Sequence, residues 1–378
     1  MSDGTPTPRI RRTQWLALVA GTILLFDAAR AETRTYVVSM LTTAMNSTDG
    51  DCPKGLNPDP KGLFRQILQQ RGLSSAQIET ILAGDWQSQF SKWASDRGVI
   101  DGKPANIYVH PLSVPDPGIS IMEGRSGVGF NLDGRDTHED FVDPITHEKG
   151  VDNELSRVLG CFDRLRGTPE HGPVGGVLFW QSVRDGMPAW LIQVSGINDE
   201  QSDENVEVRI LRATESVKLN VAGDVQTFMT FTVDRDPRLQ NNVFRGSIQH
   251  GTFVSAQPIK FFMLADSFVQ PEFDLDKARL RLTFSANGSV TAYLGGYVPW
   301  IMPYMTYAQS DYRNELSAGI NSPGIFYALR RLADGDPDPK TGARERISAT
   351  YQISAVPAFF TTDDLVAERG KAGSSVPR

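Results

Sequence analysis

From Val174 to Ile353 the chain repeats one pattern, short apolar-alternating segments divided by turn residues, and this restricts the stretch to antiparallel β-structure. Val177–Val183, an Asp185-Gly186 turn and Ala189–Val194 predict a hairpin. Further strands are expected at Val206–Leu211, Val225–Val233, Val243–Ile248 and Ile259–Leu264. A second hairpin is expected over Ala278–Phe284 and Ser289–Leu294, with Asn287-Gly288 favouring a type I′ turn. A helix at Gly324–Leu332 and a strand at Ala349–Ile353 complete the region. Many strands at short spacing predict an antiparallel β-sandwich or jelly-roll-like domain over residues 173–363, followed by a polar, flexible tail, 364–378.

Residues 32–172 read differently, as an α-helical and Asp/Gly-rich N-terminal region, so the fold class expected is mainly β with a helical N-terminal part. Thr35–Met40 has strand character. Leu63, Phe64, Ile67 and Leu68 share one helical face, and Ser74 with Gln77 forms a capping box for the next helix. Trp86, Phe90 and Trp93 follow Asp85, an N-cap residue, at helical spacing and are expected to pack in a core.

The first 31 residues have the three parts of a signal peptide. Arg9, Arg11 and Arg12 precede the apolar run Trp15–Phe26, and Ala29-Arg30-Ala31 supplies small residues at a cleavage site. The run is shorter than the roughly 20 residues a spanning helix needs, so cleavage after Ala31 and a periplasmic or secreted product are expected, with no transmembrane segment afterwards. The chain has two cysteines, Cys52 and Cys161, and an even pair in an exported protein predicts one disulfide. Hydrophobic residues at 40% and charged residues at 22% suit a folded protein, and a net charge of −7 counts against nucleic acid as a partner.

Asn131-Leu-Asp-Gly-Arg-Asp136 continues through Asp140 and Asp143 to Gly150-Val-Asp-Asn153. Oxygen donors on a glycine-containing loop suit Ca²⁺, which takes six to eight oxygens. The expected ligands are Asn131, Asp133, Asp136, Asp140, Asp143, Asp152 and Asn153, with Asp and Asn as simple turn and helix caps the competing reading. A second acidic loop, Asp334-Gly-Asp-Pro-Asp338, reads as a rigid solvent turn. The five histidines form no HExxH pair, CxxCH is absent, and neither haem nor nucleotide is expected. Around Ser126 a nucleophile elbow fails because Val128 occupies a position that needs glycine.

The aromatic segment after the second hairpin holds Tyr297, Trp300, Tyr304 and Tyr307, read either as a ligand or partner surface or as a packed crossover, with packing favoured. The string LDGRD…GVDN…GC resembles segments of uncharacterised exported proteins of Gram-negative bacteria, and GGYVPW and YALRRLADG share that likeness. It implies export and a structured Asp-rich segment. The function expected is an exported non-catalytic binding or structural protein, calcium-stabilised, whose β-domain binds a protein or small-molecule ligand. The alternative is an exported hydrolase acting on carbohydrate. An Asp-rich loop that opens into a concave pocket would favour the hydrolase, and one closed over a cation the binding protein.

Overall fold

Fifteen strands and nine α-helices run along the described residues. First come β1 (Glu32–Thr43), α1 (Pro60–Gln70), α2 (Ser75–Ala83), α3 (Trp86–Ala94) and the hairpin of β2 (Gly98–Ile100) and β3 (Lys103–Ala105). A second hairpin, β4 (Phe141–Val142) and β5 (Lys149–Val151), leads to α4 (Glu154–Leu159), α5 (Asp163–Arg166) and α6 (Val174–Arg184). Then follow β6 (Pro188–Ile197), β7 (Ser202–Ser216), β8 (Thr230–Thr232), β9 (Val243–Gln249), β10 (Thr252–Ser255) and β11 (Ile259–Leu264). The remainder is β12 (Glu272–Phe284), β13 (Val290–Pro299), α7 (Ile301–Tyr307), α8 (Tyr312–Ala318), α9 (Ser322–Arg331), β14 (Arg346–Pro357) and β15 (Phe359–Thr361). This computed structural model describes Met1 and residues 31–361, apart from positions 47, 49, 167–172, 266–269 and 309–310. The expected signal peptide, between Met1 and Ala31, and the expected tail 364–378 lie outside the described residues.

The β-structure is a closed barrel, not a sandwich or jelly roll. Its strands run β10-β9-β7-β6-β1-β14-β13-β12, all antiparallel, and β10 then pairs with β12 through Phe253 opposite Leu282. Full closure removes the free edges that a sandwich leaves. Both architectures bury one face of each strand, so the alternation that predicts strands is the same for either. β11 pairs with the first half of β12, beyond the stretch that meets β10.

Two further expectations change. Val177–Val183 is not a strand but part of α6, which packs on β1 and buries Gly176, Phe179, Ser182 and Val183 at helical spacing. A short, mainly apolar run fits a buried helix as well as a buried strand, and the helix reaches 11 residues only by starting at Val174. The Asn287-Gly288 turn is not type I′. Gly288 alone is left-handed (φ +81°), Gly288 N–H donates to Ser285 O, and Ser285 N–H closes on Ser289 O, as in a three-residue hairpin loop. Of Val225–Val233, the strand itself is β8, paired in parallel with β15.

β1 lies between β6 and β14, so the barrel takes a strand from each side of residue 172. The described residues from Ala31 to Thr361 form one compact unit. The barrel interior is filled by side chains, among them Tyr36, Trp190, Phe244, Phe253, Phe261, Phe273 and Tyr351. On β12 the inward set shifts from Phe273 and Leu275 to Ala278, Leu280 and Leu282, across a bulge that holds Lys277 at φ +51°. One extra residue at a bulge exchanges the two faces of a strand. α1, α2 and α3 have a small core of their own, with Phe64 and Phe90 rings 4.9 Å apart and Trp86 and Trp93 packed at its margin. The Ser74–Gln77 capping box is present, whereas Asp85 sits at its N-cap without a side-chain hydrogen bond. Cys52 and Cys161 are joined, with Cα atoms 5.8 Å apart. No helix among the described residues is long and apolar enough to cross a membrane.

Candidate functional site

After the bulge, Arg281 on β12 and Tyr293, Gly295 and Tyr297 on β13 alternate with inward residues and therefore face out of the barrel. The Asp-rich segment packs on this outer face. Gly295 makes room for it, since a Cβ there would lie 2.4 Å from the Phe130 ring. Phe130 packs with Leu132, Tyr293 and Tyr297. The Arg281 guanidinium lies 5.5 Å from the Phe130 ring centre and 5.1 Å from that of Tyr293, and it donates to Asp143 Oδ2 at 2.8 Å.

The seven expected calcium ligands do not share one centre. Asp143 is buried in the β4–β5 turn, where Oδ1 accepts from the N–H groups of Ile145 and Thr146 and Oδ2 from Gly129 and Arg281. Burial opposes its ionisation, but Arg281 and these N–H groups outweigh it, and the pKa lies below the ordinary carboxylate value. Asn153 is the N-cap of α4, accepting from Ser156 N–H and donating to the carbonyls of Val128 and Ala44. Asn131 Oδ1 accepts from Gly134 N–H, and Asp136 is exposed. Among the described residues no three His, Cys, Asp or Glu side chains meet in a group that could hold a metal ion.

The remaining three, Asp133, Asp140 and Asp152, line a pocket of about 440 Å³. Asp152 Oδ2 accepts from Leu132 N–H at 2.7 Å and Asp133 N–H at 3.2 Å. Asp334, from the second acidic loop, lines the same pocket. That loop divides its acids: Asp338 caps a turn through Lys340 and Thr341 N–H, Asp336 pairs with Lys277, and Asp334 turns inward to accept from Ser348 N–H at 2.6 Å. Asp336 and Asp338 match the solvent turn read from the sequence, and Asp334 does not.

Burial pushes Asp152 up to about 7, helped by the charges of Asp133 and Asp140 and opposed by its two N–H donors. Burial likewise pushes Asp334 up to about 7, helped by Glu154 and Asp152 and opposed by Ser348. Glu154 is raised by burial as well, against the pull of Arg157 at 2.8 Å. Tyr297 lines the same pocket and is only 3% exposed. Burial and the negative charges of Asp152, Asp334 and Asp133 hold that hydroxyl protonated well above its ordinary range.

Tyr297 thus separates from the other three aromatic candidates. Trp300 and Tyr304 pack edge-on against Phe326 of α9, with ring centres 5.2 and 5.1 Å away, and Tyr307 is buried beside them in the crossover. Sequence reasoning missed Asp334, Glu154 and Arg157, and the only available signal was the alternation of Asp in the second acidic loop. Another cavity, about 260 Å³, lies between α1 and the Val114–Pro117 segment, lined mostly by Gln, Pro and aliphatic side chains. Arg97 at its wall is tied to Glu315 at 2.6 Å, so that cavity offers no free acid or base.

Fold and site together define a closed antiparallel β-barrel with a carboxylate-lined pocket on its outer wall. Comparison with known proteins finds no matching family model, no matching curated protein and no matching solved structure.

Proposed function

We propose that the chain is an exported hydrolase acting on carbohydrate, with Asp152 and Asp334 as its acid–base pair. The observation that carries this reading is the convergence of two half-buried carboxylates, from segments far apart in sequence, on one open pocket. Interacting acids lose their protons in two steps that belong to the pair. Near neutral pH the dominant form then holds one proton, which provides an acid and a base together. Glycosidic hydrolysis needs that combination, one carboxyl to protonate the leaving oxygen and one carboxylate to activate water or attack the sugar.

Export is supported by the residues before Glu32, and β1 begins at Glu32, so cleavage after Ala31 leaves the barrel whole. A disulfide buried at both cysteines suits an oxidising compartment, periplasmic or extracellular. A non-catalytic binding protein is the second reading. A pocket lined by Asp152, Asp334 and Tyr297 suits a polar ligand whether or not a bond is cut. The test is a screen of the mature protein against aryl glycosides and polysaccharides. Asp152→Asn and Asp334→Asn should each lower turnover about 10²–10⁴-fold while leaving ligand binding measurable. Saturable binding without turnover of any substrate would favour the binding protein, and activity unaffected by both variants would reject the pair.

A further inference from the structure

We infer that the groove between α1 and the Val114–Ser120 segment binds a chain of uncharged sugars, so that the substrate is a neutral polysaccharide running along this wall into the pocket. Calling that chain the substrate rests on the hydrolase reading above; the groove itself does not. The cavity of about 260 Å³ beside α1 continues past Gln66, Gln70 and Pro117 into a second hollow of about 480 Å³ beside Leu56–Pro58 and Gly118–Ser120. The wall opposite α1 is already set. Tyr327 Oη donates to Val114 O at 2.8 Å and Arg331 to Asp116 Oδ2 at 2.9 Å. Asn57 donates to Ser120 O at 2.8 Å and accepts from Ser120 N–H at 2.9 Å. Pro115 and Pro117 fix two further φ angles. A wall held in this way loses little freedom when a ligand binds.

The lining decides what fits. Gln66, Gln69 and Gln70 lie at i, i+3 and i+4 on α1, are exposed, and border the groove. An amide both donates and accepts, as a sugar hydroxyl does. Leu63, Ile67, Val114, Pro115 and Pro117 supply apolar surface for the C–H faces of sugar rings. Among the described residues Arg97 is the one charged side chain at the groove, and Glu315 takes both of its terminal nitrogens, at 2.6 and 2.8 Å. A charged ligand would meet no free counter-ion there. A peptide adding itself as a strand needs main-chain donors. Along this wall Pro115 and Pro117 have none, and those of Gly118 and Ser120 are taken by Asp116 and Asn57. The groove leads towards the pocket: Val114–Ser120 borders the groove, and the next residues, Ile121, Met122 and Glu123, line the pocket. α9 joins the two as well. Asn321 and Pro323 at its start line the groove, Arg331 at its end lines the pocket, and its ten residues span about 15 Å. Only a chain of several sugars reaches across that distance.

The test titrates the mature, disulfide-bonded protein calorimetrically with dimers and hexamers of neutral linear sugars, built from glucose, xylose, mannose or N-acetylglucosamine. A galacturonate hexamer is the charged control. At least one neutral hexamer should bind about tenfold or more tightly than its dimer, and more tightly than the galacturonate hexamer, with little change in high salt. Gln66→Ala with Gln70→Ala changes two exposed helix positions where alanine is favourable, so the fold is kept. The double variant should weaken the hexamer about fivefold or more and shrink the gap between hexamer and dimer. Where the hexamer is cleaved, the same variant should raise KM and leave kcat unchanged, because the groove holds ground state and transition state alike. Hexamers that bind no better than dimers would overturn the inference. So would galacturonate binding as tightly as any neutral hexamer, or hexamer binding indifferent to the double variant. Failure of the hydrolase reading looks different: hexamer binding would depend on Gln66 and Gln70 while no bond is cut. Cleavage that needs Asp152 and Asp334 but treats dimers and hexamers alike would reject this inference alone.

Discussion

Arg281 Nη2 donates to Asp143 Oδ2 at 2.8 Å, and both side chains are buried where the Asp-rich segment meets the outer wall of the barrel. At Asp143, the positive charge that the sequence suggests should come from Ca²⁺ comes from a guanidinium on β12. Removing one partner of a buried pair strands the other and costs about 3–5 kcal/mol, whereas replacing both by packed apolar groups is often neutral. Asp143→Ala should therefore lose about that much in urea unfolding, and Asp143→Leu with Arg281→Met should recover most of it. Wild-type stability in Asp143→Ala would show that the pair does not hold the segment.

The disulfide closes the loop that contains α1, α2 and α3. Cys52 and Cys161 are 109 residues apart, and the chain-entropy model gives about 4–5 kcal/mol for a closed loop of that length. The bond also pins the start of the helical region to the end of α4, beside Met122, Phe141 and Val151. Cys52→Ser with Cys161→Ser should lower the unfolding midpoint without changing the barrel's circular dichroism. Peptide mapping of native protein should recover the two cysteines in one cross-linked fragment, and free thiols at both would contradict it.

Much of the fold was legible because local chemistry decides it. Alternation in β9, β11, β12 and β13, the Ser74–Gln77 capping box and the helical stripe through Phe90 each act over a few residues. Closure of the barrel was not legible, since it depends on Phe253 meeting Leu282 and leaves no mark on either strand's alternation. The face exchange at Lys277 was hidden for a related reason: a bulge is set by the partner strand. The Asp-rich segment was visible as a cluster, but not the division of labour within it. Asp143 and Asn153 became structural anchors and Asp152 the pocket acid, because burial and partners differ between neighbours. Asp334 joined them only through tertiary contact.

Two glycines beside the pocket separate strain from collision. Gly150 has φ +70°, and a Cβ there would lie 2.0 Å from Arg135 O and 2.5 Å from Asn131 Nδ2. Gly134 has φ +79° with nothing within 4 Å of an added Cβ. Left-handed backbone costs a non-glycine residue about 1–2 kcal/mol. Gly134→Ala should lose about that amount, while Gly150→Ala should lose clearly more and weaken ligand binding, because it displaces the loop that supplies Asp152 with N–H donors. Equal losses in the two variants would mean that the loop yields freely.

The pocket acids make stability depend on pH in a direction opposite to most carboxylates. Asp152 and Asp334 stand at about 7 in the folded chain, against an ordinary value of 3.8. Between those values the folded state keeps protons that the unfolded state releases, so stability falls as pH rises through the window. The contribution is fully present below about pH 4 and is lost above about pH 7. Asparagine at either position removes a carboxylate that must otherwise ionise against burial and against its neighbour. Asp334→Asn should then melt higher than wild type at pH 8, and the gap should narrow at pH 5, where the wild-type acids hold their protons. Because the two acids interact, the first substitution should also ease ionisation of the remaining one, and the double variant should gain less than the sum of the singles. Melting curves of the four proteins at the two pH values give the result directly. A gap of equal size at pH 5 and pH 8, or an asparagine variant less stable than wild type at pH 8, would mean that the pocket carboxylates ionise without penalty, and the acid–base pair would lose its physical basis.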